Sequence, residues 1–118
     1  MKCILLLLVI PIYAMAEYEL FHKSDTNQET FIDPLTIRTP YEGNVRKVFV
    51  YHNNISTHVS VEIYYTADCD GFTLSHESKT TYQDLNLKGR PMVTYKHESI
   101  TPIPNTMQFQ LVDYLCAK

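Results

Sequence analysis

The chain has 118 residues, 45% hydrophobic and 19% charged, with ten Lys+Arg against thirteen Asp+Glu and a formal net charge of −3. That length and balance fit one globular domain and exclude a wholly disordered chain. Charges of both signs are scattered, so no basic face exists to track phosphates, and nucleic acid is not an expected partner.

The first sixteen residues read as a secretory signal. Met1-Lys2 is a short positive start, Cys3 to Ile12 is apolar apart from Pro11, and Tyr13 leads into Ala14-Met15-Ala16. That small-x-small ending is what signal peptidase accepts. A membrane anchor would need about twenty apolar residues; this run is shorter and ends in a cleavage site. We expect residues 1–16 to be removed and 17–118 to form one secreted, extracellular domain with no membrane span. Losing Lys2 leaves nine Lys+Arg against thirteen Asp+Glu, a net charge of −4.

Cysteine use follows from that compartment. Cys3 leaves with the signal, and Cys69 and Cys116 remain in an oxidising lumen, where one disulfide is the expected outcome. Two free thiols or a zinc pair are the alternatives, and no C-x-x-C spacing supports zinc.

Along the mature chain, Pro34, Pro40, Gly43, Gly71, Gly89-Arg90-Pro91 and Pro102-Ile103-Pro104 punctuate stretches rich in β-branched and aromatic residues. Tyr18–His22, Thr30–Ile32 and Leu35–Arg38 are short strand candidates. Val45–His52 alternates more clearly, and Asn53-Asn54 begins a turn, since Asn tolerates left-handed backbone. His58–Tyr65 alternates best: Val59, Val61, Ile63 and Tyr65 on one face, His58, Ser60, Glu62 and Tyr64 on the other. Phe72–His76 and Met92–Glu98 follow, with a short helical turn allowed at Tyr82–Leu87. Met107, Phe109 and Leu111 alternate with Gln108 and Gln110, which predicts a last strand. Such strands at roughly ten-residue spacing predict an all-β fold, a β-sandwich or a barrel of about seven strands with one disulfide.

Residues 31–67 also resemble the major sperm protein domain. The shared features are Ile32-Asp33-Pro34, Thr39-Pro40-Tyr41-Glu42 before a strand, the Asn53-Asn54 turn, and a strand closing on Thr66-Ala67. The resemblance implies an immunoglobulin-like sandwich and a protein that acts by associating with others. It fades after Ala67, where Cys69 to Lys79 lacks the family's proline-and-glycine segment.

Few residues carry chemistry. Asn54-Ile55-Ser56 is an N-glycosylation acceptor at an expected hairpin tip, or else a plain turn. Asp68-Cys69-Asp70-Gly71 begins like a calcium loop, but position twelve falls on Lys79, the wrong charge. It reads as a polar turn. The five histidines (His22, His52, His58, His76 and His97) lie in no metal or general-base motif, and no G-x-S-x-G occurs. Neither catalytic nor metal residues, nor a cofactor, are expected. Tyr64, on the outer face of the clearest strand, is the candidate interface residue, with packing against a neighbouring strand as the alternative. The resulting expectation is a secreted, non-enzymatic protein that binds another protein through a sheet face or loops, its oligomeric state unspecified. A small ribonuclease-like hydrolase and a carbohydrate- or lipid-binding sandwich are the alternatives.

Overall fold

The structure, a computed structural model, describes residues 17–40 and 43–117. The expected signal peptide, and Tyr41-Glu42 of the segment resembling the major sperm protein domain, lie outside them. The strands are β1 (Glu19–Lys23), β2 (Gln28–Ile32), β3 (Val45–Asn54), β4 (Val59–Asp68), β5 (Thr73–Tyr82) and β6 (Pro91–Ile100), followed by helix α1 (Met107–Cys116). They form one antiparallel sheet in sequence order, β1 to β6, each joined to its neighbour by a turn or loop.

The all-β class is therefore correct, but the described residues form one six-stranded sheet, not the two sheets of an immunoglobulin-like sandwich. The expected last strand is the reason. Residues 107–111 are helical, and the layer that covers the sheet is α1. Thr106 caps it, its Oγ1 accepting from the Phe109 N–H at 3.2 Å. The residues α1 buries are Leu111, Val112 and Leu115, on one helical face spanning a turn. Two of the three lie beyond the 107–111 window, so the period-two pattern there was only the near end of a helical stripe.

α1 lies against β3, β4 and β5. Its three buried residues close over Ile32, Val48, Val50, Ile63, Tyr65, Ala67 and Leu74, one continuous core. Each side chain buried there contributes roughly 1.5–3 kcal/mol. The β4 alternation holds toward its end, where Ile63, Tyr65 and Ala67 are buried against the helix and Tyr64 is exposed on the other side. Nearer its start Ser60, on the expected outer face, is fully buried, and Val59 and Val61 are only half-buried.

Local chemistry explains the other departures. Leu35–Arg38 is not a strand: Asp33 Oδ1 accepts from the Leu35 N–H and caps a 3-10 turn at Pro34–Thr36. Only Arg38 returns to the sheet, as a single bridge to Lys47. Asn53 and Asn54 end β3, and the turn itself is residues 55–58, with His58 in left-handed backbone at φ 59°. His58 thus lies before β4, not on its outer face. Residues 82–87 form no helical turn; Asn86 and Leu87 have φ of 59° and 60°, which a right-handed helix excludes.

Candidate functional site

The helix-facing side of the sheet carries a polar row within the apolar core. His52 is buried on β3, its Nδ1 2.9 Å from Thr30 Oγ1 and its Nε2 3.0 Å from Tyr65 Oη. Burial holds the His52 imidazolium down to a pKa of about 4. Burial, with the Glu98 carboxylate adding to it, pushes the Tyr65 phenol up. His76, beyond Tyr65, places Nε2 3.3 Å from Glu98 Oε1. Its pKa is lowered: desolvation outweighs the nearby carboxylate, which acts the other way. Tyr65, His76, Glu98 and Gln108 line a cavity of about 180 Å³, with Leu74 and Ile100 as its apolar wall.

Two of the five dispersed histidines thus meet. The His52 and His76 rings stand 6.0 and 5.8 Å from the Tyr65 ring, centroid to centroid. The others serve elsewhere. His22 borders a recess near the start of α1, His58 Nδ1 lies 3.9 Å from Asp84 Oδ1, and His97 Nδ1 is 2.8 Å from Glu77 Oε2. Period-two reading could not find the Tyr65 row, because Tyr65 reaches along the sheet to a residue not opposite it: His52 pairs with Val61.

Cys69 and Cys116 form the disulfide, with Cα atoms 5.5 Å apart. It ties the last residue of α1 to the turn after β4. At the same turn, Asp68 Oδ1 accepts from the Asp70 and Gly71 N–H groups, at 3.0 and 3.2 Å. Asn54 is exposed at the hairpin tip, its Oδ1 accepting from the Thr57 N–H at 3.2 Å. That leaves its Nδ2, the atom a glycan would bond, out of the turn's hydrogen bonding.

The face away from α1 divides into a covered half and an open half. Near β1 and β2, Tyr51 stacks on Phe31 at 4.7 Å and meets Tyr18 edge-on at 4.8 Å. The Tyr18 hydroxyl donates to Glu62 Oε2 at 2.8 Å. The loop after β5 covers the adjoining end, where Asn53 Nδ2 donates to Asn86 Oδ1 at 2.8 Å and Ser60 Oγ to the Asp84 carbonyl at 2.6 Å.

The open half begins at Tyr64, 37% exposed and stacked on its cross-strand partner Phe49 at 4.4 Å, with Lys47 Nζ 5.8 Å from the Tyr64 ring. Tyr64 thus packs across the strand, and part of its ring still faces outward. Register then places Val93 and Tyr95 on the same face, paired with Thr80 and Ser78 of β5. Thr80 and Ser78 lie between β4 and Val93–Tyr95 there, with the charged Glu77 at the neighbouring bulge. Tyr95 is 83% exposed, and Met92, on the helix side of β6, is 58% exposed.

β6 also forms the sheet's edge, with no strand beyond it among the described residues. An edge strand offers a row of unpaired N–H and C=O groups, and proteins usually blunt it with charge, proline or a short length. This one is ten residues long; Lys96, Glu98 and a bulge opposite Glu77 blunt its second half, while Met92–Tyr95 after Pro91 carries no charge. Met92, Val93 and Tyr95 put apolar groups on both faces of this strand, the pattern of a central strand, so its sequence alone does not mark it as an edge.

No protein-family profile matches the chain, and no curated protein matches it in sequence. Solved structures do resemble it. Crystal form II of Haemophilus influenzae protein E aligns with a TM-score of 0.64 at 15% identity, covering 85% of this chain and 87% of that one. The selenomethionine form of Haemophilus influenzae protein E aligns at 0.63 and 14%, covering 87% and 92%. Protein E from non-typeable Haemophilus influenzae aligns at 0.61 and 15%, covering 85% and 75%. None of these is a major sperm protein domain. At such identity the likeness is one of fold, and the architecture this chain shares is that of protein E.

Proposed function

We propose that this protein is a secreted, non-enzymatic interaction module that binds another protein along β6 and the adjoining open sheet face. The observation that supports this reading most is the exposed apolar edge. Val93 and Tyr95 continue the Phe49–Tyr64 surface out to a strand whose backbone is free to pair. An extended segment of a partner would add to β6 by main-chain hydrogen bonds, with alternate side chains read by Val93 and Tyr95, while the rest of the partner reaches over the open face to Tyr64. Aromatic anchors of this kind dominate interface energies. The signal-like residues 1–16 and the Cys69–Cys116 disulfide support an extracellular setting. The test is capture of partners from the protein's native fluid with wild type, Tyr95→Lys and Tyr64→Ala. Tyr95→Lys should lose the captured protein while melting at the same temperature, and undiminished capture by both variants would refute the reading.

One observation favours the hydrolase alternative: His76 and Glu98 stand 3.3 Å apart at a cavity of about 180 Å³. A lowered His76 pKa keeps the ring neutral, the form a general base needs. RNA cleavage by the wild type and its loss in His76→Ala would establish that reading in place of the first.

A further inference from the structure

Between the β1–β2 hairpin and the first turn of α1 lies a recess of about 260 Å³, away from the β6 edge and next to the His76–Glu98 cavity, with which it shares Gln108. No Lys, Arg, Asp or Glu lines it; one methionine apart, its walls are hydroxyl, amide and imidazole groups. Four of these are fixed. Ser24 Oγ and Thr26 Oγ1 stand 3.0 Å apart, and Ser24 Oγ also accepts from the Gln28 N–H at 3.3 Å. Thr30 Oγ1 is held by His52, and Thr106 Oγ1 donates to the Ile103 carbonyl at 2.7 Å while capping α1. Four others, His22, Gln28, Asn105 and Gln108, have no side-chain hydrogen-bond partner among the described residues. The recess therefore sets adaptable donors and acceptors around a rigid polar frame.

That chemistry selects a ligand class. A charged ligand would lose hydration with no countercharge in the wall. An apolar one would strip water from four polar side chains and return no hydrogen bond. The volume is just below the roughly 300–1,000 Å³ of sites for drug-sized molecules. We infer that this recess binds a small, neutral, polyhydroxylated molecule, a single sugar ring, through His22, Gln28, Asn105 and Gln108. With no aromatic ring in the wall to stack on, affinity is modest, a Kd on the order of 1–10 mM.

The test is an NMR titration of the isotope-labelled mature protein with glucose, galactose, mannose and N-acetylglucosamine, each also as its methyl glycoside. At least one should give saturable amide shifts confined to residues 22–30 and 105–108. Gln28→Ala and Gln108→Ala should each weaken binding about tenfold, the loss of about one hydrogen bond. Both residues are at least partly exposed, so the fold should survive, which unchanged spectra elsewhere would confirm. Equal binding of the methyl glycoside identifies a glycan terminus as the ligand, and binding of the reducing sugar alone identifies a free sugar. No saturable shift with any sugar, shifts mapping elsewhere, or wild-type affinity in both variants would overturn the inference.

Discussion

Cys69 and Cys116 join the turn after β4 to the last residue of α1, closing a loop across 47 positions of sequence. The bond holds α1 against β3, β4 and β5, where Leu111, Val112 and Leu115 complete the core. Constraining the unfolded chain over such a span is worth about 4 kcal/mol in the entropy model. Cys116→Ser, or reduction, should lower unfolding free energy by a few kcal/mol in a denaturant titration. Thiol titration of the unfolded, unreduced protein should find no free thiol. Two thiols per chain would refute the bridge.

Ile63 and Glu62 are consecutive and serve opposite faces. Ile63 is packed in the core, and Ile63→Ala should cost about 2–5 kcal/mol. Glu62 is half-buried and accepts the Tyr18 hydroxyl, so Glu62→Ala should cost about 0.5–1.5 kcal/mol, above the near-zero change of plain surface. Chemical denaturation of both variants checks this. Equal costs would contradict the register of β4.

His52 gives the domain an acid limit. Its folded pKa is near 4 because burial disfavours the imidazolium, against about 6.5 when unfolded. Below pH 6.5 the unfolded chain binds a proton that the folded protein does not, so stability falls as pH drops from about 6.5 to about 4. The loss over that window is on the order of 3 kcal/mol. In His52→Gln, denaturant midpoints measured across that range should lose this share of the pH dependence. An unchanged slope would place the acid sensitivity elsewhere.

What could be read from the sequence was whatever local alternation determines. Ile63 to Tyr65 shows its buried face directly because one side meets the core and the other does not, and Val45 to His52 follows as its partner. Residues 107–111 misled because five residues can satisfy period two and period 3.6 together. Only Val112 and Leu115, just past that window, separate the two. The His52–Tyr65–His76 row was hidden because its members come from three strands and meet at positions that are not directly paired. Likewise, nothing within Pro91–Ile100 states that no strand follows it in the sheet. Edge position is a property of topology, and the candidate interface depends on it.

Asn54 and Ala16 mark the expected processing. Secreted protein should begin at Glu17-Tyr18-Glu19 by N-terminal sequencing, which a retained Met1 would contradict. Enzymatic removal of N-glycans should lower the mass of the wild type and leave Asn54→Gln unchanged. No mass change in the wild type would show Asn54 to be only the end of β3, bonded to Thr57.

The interface on β6 is tested most directly by replacing Tyr95 with a photo-cross-linking residue in the intact secreted protein and illuminating it in its native fluid. Gln110, exposed on α1, is the control position. If β6 is the docking edge, position 95 yields one discrete protein adduct and position 110 yields none. No adduct at 95, or the same adduct from both positions, would contradict it.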